Sequence, residues 1–246
     1  MTIRLRLPSV PGMTSDGINQ GGTGHASIER VWSDVLCGRL RVFAPPTAHE
    51  VSLLPEPARA KPLRAPRESD CLTSILRGQM QKVVAVERGR SQATISGLLK
   101  RQLKRMGVEQ STRRLPLALA LLAHATDSEL VEIAVSGSSE AEGDGASWRL
   151  IAELSEVSLT DLTPSERDVT RRYLEGQTHA QIASERASRP RTVANQLSVV
   201  FQRYGATGRF DLLRAILERG RCLGARSTLH LHRGDDQCSP TAAHAA

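Results

Sequence analysis

The 246-residue chain predicts a mainly α protein: two tandem four-helix modules, each preceded by a short β-hairpin. Three observations lead there. Residues 162–213 read as a compact run of short, well-punctuated helices, and the same pattern occurs 98 residues earlier. Aromatic residues make up only 3% of the chain, so its cores must be built from Leu, Ile, Val and Ala, which suits small helical modules.

In the later copy, Thr163, Pro164 and Glu166 supply a capping hydroxyl, a proline at the first helical position and a carboxylate that closes a capping box. The helix they open is expected to run to about Glu175 and stop at Gly176. Thr178 caps a second short helix, 179–186, with Ile182 and Ala183 inward. Residues 187–190, ASRP, interrupt it, because a residue before proline is pushed out of the helical region. A third helix, 191–204, places Val193, Leu197, Val200, Phe201 and Tyr204 on one face and Arg191, Ala194, Asn195, Ser198 and Gln202 on the other. Gly205 ends it, and Phe210, Leu212, Leu213 and Ile216 begin a fourth. Two short helices, a tight turn and a helix with a polar outer N-terminal face make a helix-turn-helix.

The segments LTPSERDV, LEGQTHAQIA, RTVANQL and RYGATGRFDLL, spread over about residues 160–220, resemble the LuxR-type (also FixJ- or NarL-type) DNA-binding domain of bacterial transcription regulators. The chain departs from that pattern at Arg186 and Ser188, where the family usually carries aliphatic residues. The resemblance implies a cytoplasmic bacterial regulator that reads double-stranded DNA in the major groove, with RNA polymerase as a further partner.

The earlier copy follows from a gapless shift of 98 residues, which lays Pro66–Leu115 over Pro164–Leu213 with 14 of 50 pairs identical. Punctuating glycines, the helix-two alanine and the third-helix threonine all recur, as an internal duplication requires. Its third helix, 92–106, buries Ile95, Leu99, Leu103 and Met106 and exposes Ser96, Gly97, Lys100, Arg101, Lys104 and Arg105. Arg88 and Arg90 stand where the later copy also departs from the family. Ala65 replaces the capping Thr163, and Gly97 costs the helix about 1 kcal/mol relative to Ala.

Taken in order, residues 1–27 read as a flexible arm and 28–60 as a short helix, with Val31, Trp32 and Val35 inward, followed by a hairpin of 39–43 and 50–54. The first module spans 61–125, a β-hairpin connector 126–158, the second module 159–221, and a disordered tail 222–246. Within the connector, 129–135 and 148–154 read as strands flanking the acidic loop SGSSEAEGDGA. About 60 residues precede the first module, too few for the receiver or ligand-binding domain that such regulators often carry. Residues 115–125, LPLALALLAHA, are apolar on nearly every side, and this helix is expected to pack on the second module's fourth helix or on another chain. Because the family dimerises through the fourth helix, the two copies point to a homodimer or an intramolecular pseudo-dimer.

Net charge is +7 and uneven, with 13 basic against 4 acidic side chains over residues 61–114 and 11 against 6 over 163–221. Basic charge thus falls where a polyanion would be gripped, although a solvated basic face carries the same signature. No apolar run of 18 residues and no signal-peptide core is present. The four cysteines, at 37, 71, 222 and 238, form no CxxC pair, which fits a reducing compartment. LHLH at 229–232 with Cys222 and Cys238 matches no standard zinc spacing, and GGTG at 21–24 lacks the Gly-Lys-Ser/Thr of a phosphate loop. No catalytic constellation emerges, so neither enzyme activity nor a cofactor is expected.

By position in the family motif, the base-reading residues are Ala194, Asn195 and Ser198 in the second copy and Ser96, Gly97 and Lys100 in the first. Asn195 suits adenine and Lys100 guanine, each contact worth ~1–3 kcal/mol of discrimination. Thr94, Arg101, Lys104, Arg105, Arg189, Arg191, Thr192, Arg203 and Arg209 are the phosphate candidates. An alternative of another class is a degenerate helix-turn-helix protein acting as a protein-interaction adaptor or anti-activator.

Overall fold

The computed structural model describes residues 21–43, 50–56, 66–108, 115–126, 129–136 and 147–234. Helix α1 (Gly21–Cys37) leads into the strands β1 (Leu40–Phe43) and β2 (Glu50–Pro55). Helices α2 (Pro66–Leu76), α3 (Gln81–Glu87), α4 (Gln92–Arg105) and α5 (Leu117–Ala125) follow, then β3 (Val131–Ser136) and β4 (Ser147–Glu153). A 3-10 turn over Glu156–Leu159 precedes α6 (Pro164–Leu174), α7 (His179–Glu185), α8 (Pro190–Tyr204) and α9 (Arg209–Cys222), and β5 (Ser227–Gly234) comes last.

The five strands form one mixed sheet in the order β1-β2-β4-β5-β3, antiparallel except for the parallel β3–β5 pair. This overturns the mainly α expectation: the fold is an α/β arrangement, and the sheet is its structural centre. The physical reason is that a lone two-stranded hairpin buries too little apolar surface to stand in water. Val51 and Leu53 of β2, Leu150 and Ala152 of β4, and Leu229 and Leu231 of β5 all bury toward one core.

Only the β1–β2 hairpin forms as expected; β3 and β4 do not pair with each other, because β5 lies between them. Strand β5 comes from the segment assigned to a disordered tail. Its alternation of Leu229 and Leu231 with Thr228, His230 and His232 is a half-buried strand pattern. Residues 21–27, assigned to the arm, are helical. The acidic loop and Cys238 lie outside the described residues.

The repeat extends into the sheet. A shift of 98 carries β2 onto residues 148–153 of β4 and β3 onto 229–234 of β5. The β2–β4 register is two-fold symmetric under the same shift: Glu50↔Ile151 exchanges with Leu53↔Trp148, and Val51↔Leu150 with Ser52↔Arg149. By that symmetry β3 belongs beside β2, as β5 lies beside β4. Strand β1 holds that edge instead, and β3 crosses to pair with β5.

The apolar helix α5 is buried along its whole length. It packs against β2, β3, β4 and β5 and against α1 and α2, and shares its core with α9 residues Leu213 and Ile216. Apolar residues of both copies belong to one continuous core, which includes Leu72, Leu76, Ile95 and Leu99 of the first and Leu174, Val200, Leu213 and Ile216 of the second. Further ties bind the first copy to its surroundings. Trp32 Nε1 donates to Thr73 Oγ1 at 3.2 Å, and Val42 N of β1 donates to the Met106 carbonyl at 2.8 Å. Among the described residues no helix is long and apolar enough to cross a membrane.

Candidate nucleic-acid interface

Local chemistry sets each helix of the second copy. The Thr163 hydroxyl accepts from Glu166 N at 3.3 Å while Thr163 N donates to Glu166 Oε2 at 2.9 Å, and Thr178 and Gln181 form the same reciprocal pair for α7. Those Thr163 bonds chiefly, with Arg203 beside it, hold the Glu166 carboxyl below the usual carboxylate range. A small separate core of Val169, Ile182, Ala183, Val193 and Leu197 locks α6, α7 and α8 together, with Tyr173 and Phe201 meeting edge-to-face at 5.7 Å.

Arg186, the C-cap of α7, is half-buried and fully occupied. Its guanidinium pairs with Asp168 at 3.0 Å and donates to Ser165 Oγ at 2.7 Å and Gln196 Oε1 at 2.9 Å. Gln196 Nε2 closes the network on Ser165 at 2.8 Å. This polar clamp ties α7 to α6 and α8. Asp70 and Arg88 repeat the Asp168 and Arg186 pair 98 residues earlier, a signal available in the sequence.

The turn between α7 and α8 runs through Ala187 at φ 48°, and its counterpart in the first copy is Gly89 at φ 57°. The left-handed region penalises an alanine by about 1–2 kcal/mol, part of which glycine's larger unfolded-state entropy offsets. Ala187→Gly is therefore expected to raise the unfolding free energy by about 0.5–1 kcal/mol. Urea denaturation checks this, and an unchanged or lower midpoint counts against the strained-turn account.

On α8, Arg191, Thr192, Asn195 and Ser198 are exposed, Ala194 is half-buried, and Arg189 is exposed at the N-cap. On α4, Thr94, Gly97, Lys100, Arg101, Lys104 and Arg105 are exposed and Ser96 is half-buried. Ser91 caps α4, its Oγ accepting from Thr94 N at 3.1 Å. The structure thus brings the expected residues of each copy to one helix face, but Arg209, Arg203 and Arg105 are engaged within the chain. Arg209 is buried: its Nε donates to the Leu174 carbonyl at 3.0 Å, its guanidinium lies 5.1 Å from the Phe210 ring centroid, and burial lowers its pKa to about 10. It joins α9 to the end of α6 and is not available to a phosphate. Arg203 is held by the Asp161 carbonyl at 2.7 Å and Glu166 at 3.2 Å.

The same sorting applies to the remaining cations. Of the 11 arginines between 163 and 221, Arg167, Arg171, Arg172, Arg186, Arg203, Arg209, Arg214 and Arg219 are bound within the chain, which leaves Arg189, Arg191 and Arg221 without a side-chain partner among the described residues. In the first copy, the side chains of Lys82, Arg90, Lys100, Arg101 and Lys104 are exposed and make no hydrogen bond or ion pair among the described residues, while Arg105 has a partner within the chain. Lys82 on α3 and Arg90 in the turn before α4 join the candidates once burial and partners are known.

Comparison with known proteins returns no match: no protein-family model, curated protein or solved structure is similar to the chain at a significant level.

Proposed function

We propose that the chain is a sequence-specific DNA-binding transcription regulator that presents two helices, α4 and α8, to the major groove. One observation carries this reading. Each helix has an exposed outer face with no acidic residue along residues 92–107 or 189–204, and unengaged cations stand on or beside it. A helix held across a turn by a partner helix, with polar outer residues near its N-terminus, has the shape that enters a groove. RNA polymerase fits as a further partner of such a regulator.

Fluorescence anisotropy on a labelled random-sequence duplex, titrated with salt, tests the reading. Phosphate neutralisation releases counterions, so affinity is expected to fall linearly on a log–log plot. Replacing Lys100 and Lys104, or Arg189 and Arg191, with Gln should each reduce the slope by about 2, roughly 1 per phosphate contact. A flat or absent salt response sinks the proposal.

A second reading, a protein-interaction adaptor, rests on a separate observation. Met80 at the N-cap of α3 and Val83 and Val86 within it are 52%, 37% and 75% exposed, whereas the equivalent positions at α7 are the polar Thr178, Gln181 and Ser184. Exposed apolar stripes of this kind mark protein contacts. The absence of any duplex binding would hand the chain to this reading.

A further inference from the structure

We propose that the two copies divide the work of DNA recognition: the first grips the phosphate backbone whatever the sequence, and the second reads bases through Asn195. This inference rests on the DNA-binding reading above and assigns roles within it.

Free charge is the first argument. Among its described residues the first copy holds five unengaged, exposed cations, and three of them, Lys100, Arg101 and Lys104, lie on the exposed side of α4. The second copy carries many arginines but has tied most of them to its own carboxylates and carbonyls, so only Arg189 and Arg191 flank the start of α8. A cation already paired within the protein releases few counterions from a duplex, whereas a free one contributes nearly a full charge to the salt slope.

Reading capacity is the second argument, and it runs the other way. At the outward N-terminal positions of α4, Ser96 is half-buried and Gly97 has no side chain, and a Cβ added there would meet nothing within 4 Å. At the equivalent positions of α8, Asn195 presents an exposed amide carrying both a donor and an acceptor, the pair that matches an adenine edge. Its neighbour Gln196 has the same chemistry but is spent on Arg186 and Ser165, so Asn195 is the one amide of that helix start left to read with. The Arg186–Asp168 clamp fixes α8 against α6 and α7 and so positions Asn195 without touching a base.

The experiment uses the full chain. In vitro selection from a random duplex pool supplies a preferred site, and anisotropy then compares that site with random duplex over a salt series. Thermal melts confirm that each variant is folded. The triple variant Lys82→Gln/Arg101→Gln/Lys104→Gln is expected to weaken binding to both duplexes equally, reducing the log–log slope by about 3 and leaving their affinity ratio unchanged. Asn195→Ala is expected to leave random-duplex affinity within about twofold and to cut the ratio by about ten- to hundredfold. Two results would overturn the division alone: a triple variant that erases the ratio while sparing the slope, or an Asn195→Ala protein with an undiminished ratio. A pool that yields no preferred site removes the reading role given to Asn195. No binding to any duplex removes the DNA reading itself, and the division with it.

Discussion

Gly78→Ala is expected to lower the unfolding free energy by about 3–4 kcal/mol, combining left-handed strain with overpacking. Gly78 ends α2 at φ 91°, a conformation that L side chains rarely adopt. A Cβ placed there would sit 2.9 Å from the Phe210 carbonyl oxygen and 3.0 Å from Asp211 Cα, both main-chain atoms at the start of α9. Neither atom can rotate away as a flexible side chain would, so α9 itself would have to move. Because Phe210, Leu213 and Ile216 bury their side chains in the common core, that movement would part the two copies where they meet.

Gly89→Ala is the matched control. Gly89 is also left-handed, at φ 57°, but an added Cβ meets nothing within 4 Å, so its cost should be the backbone strain alone, about 1–2 kcal/mol. Urea denaturation of both variants separates the terms. Equal losses at the two positions would mean that the α2–α9 contact contributes nothing, and the two copies would then be joined through the sheet and α5 only.

What the sequence made legible was local chemistry. The capping boxes at Thr163 and Thr178, the end of α8 at Gly205 and the buried face of α8 all follow from side-chain types at fixed short spacings. The duplication was legible too, and it is written in the backbone: left-handed residues recur at 78 and 176, at 89 and 187, and at 107 and 205. The sheet was not legible, since β2 and β4 meet across about 98 residues and no periodicity within either strand names its partner. The short leucine alternation of β5 was hidden in a polar tail for the same reason. At the candidate interface, helical period placed Asn195 and Lys100 outward. Charge gave only a sign: nothing local distinguishes Arg209, folded under α9, from Arg191, which is exposed. Burial and partners decide that, and both come from the fold.

Acid is expected to destabilise the protein through His124. This side chain lies near the C-terminal end of α5, where the helix dipole and a hydrogen bond to the Leu76 carbonyl both favour the protonated ring. Burial outweighs them: the residue is only 3% exposed, and burial, with the Arg77 and Arg214 charges nearby, lowers its pKa from 6.5 to about 4. Arg77 is fixed in place, donating to the Ala123 carbonyl and to Thr126 Oγ1, each at 2.9 Å. Between pH 6.5 and 4 the unfolded chain therefore binds a proton that the folded chain refuses. Stability from this group is complete above pH 6.5, declines as pH falls through that window, and levels off below about 4, where both states are protonated. The full loss is about 3 kcal/mol, at 1.36 kcal/mol per unit of pKa difference. Glu166 and Asp211, whose carboxyls are held below their ordinary range, add losses of their own at lower pH. The test is accordingly a difference: urea midpoints of the native chain and of His124→Gln between pH 7.5 and 4. The native chain should lose stability faster than the variant from pH 6.5 downward, and parallel curves over that window would show that His124 takes up its proton as readily folded as unfolded.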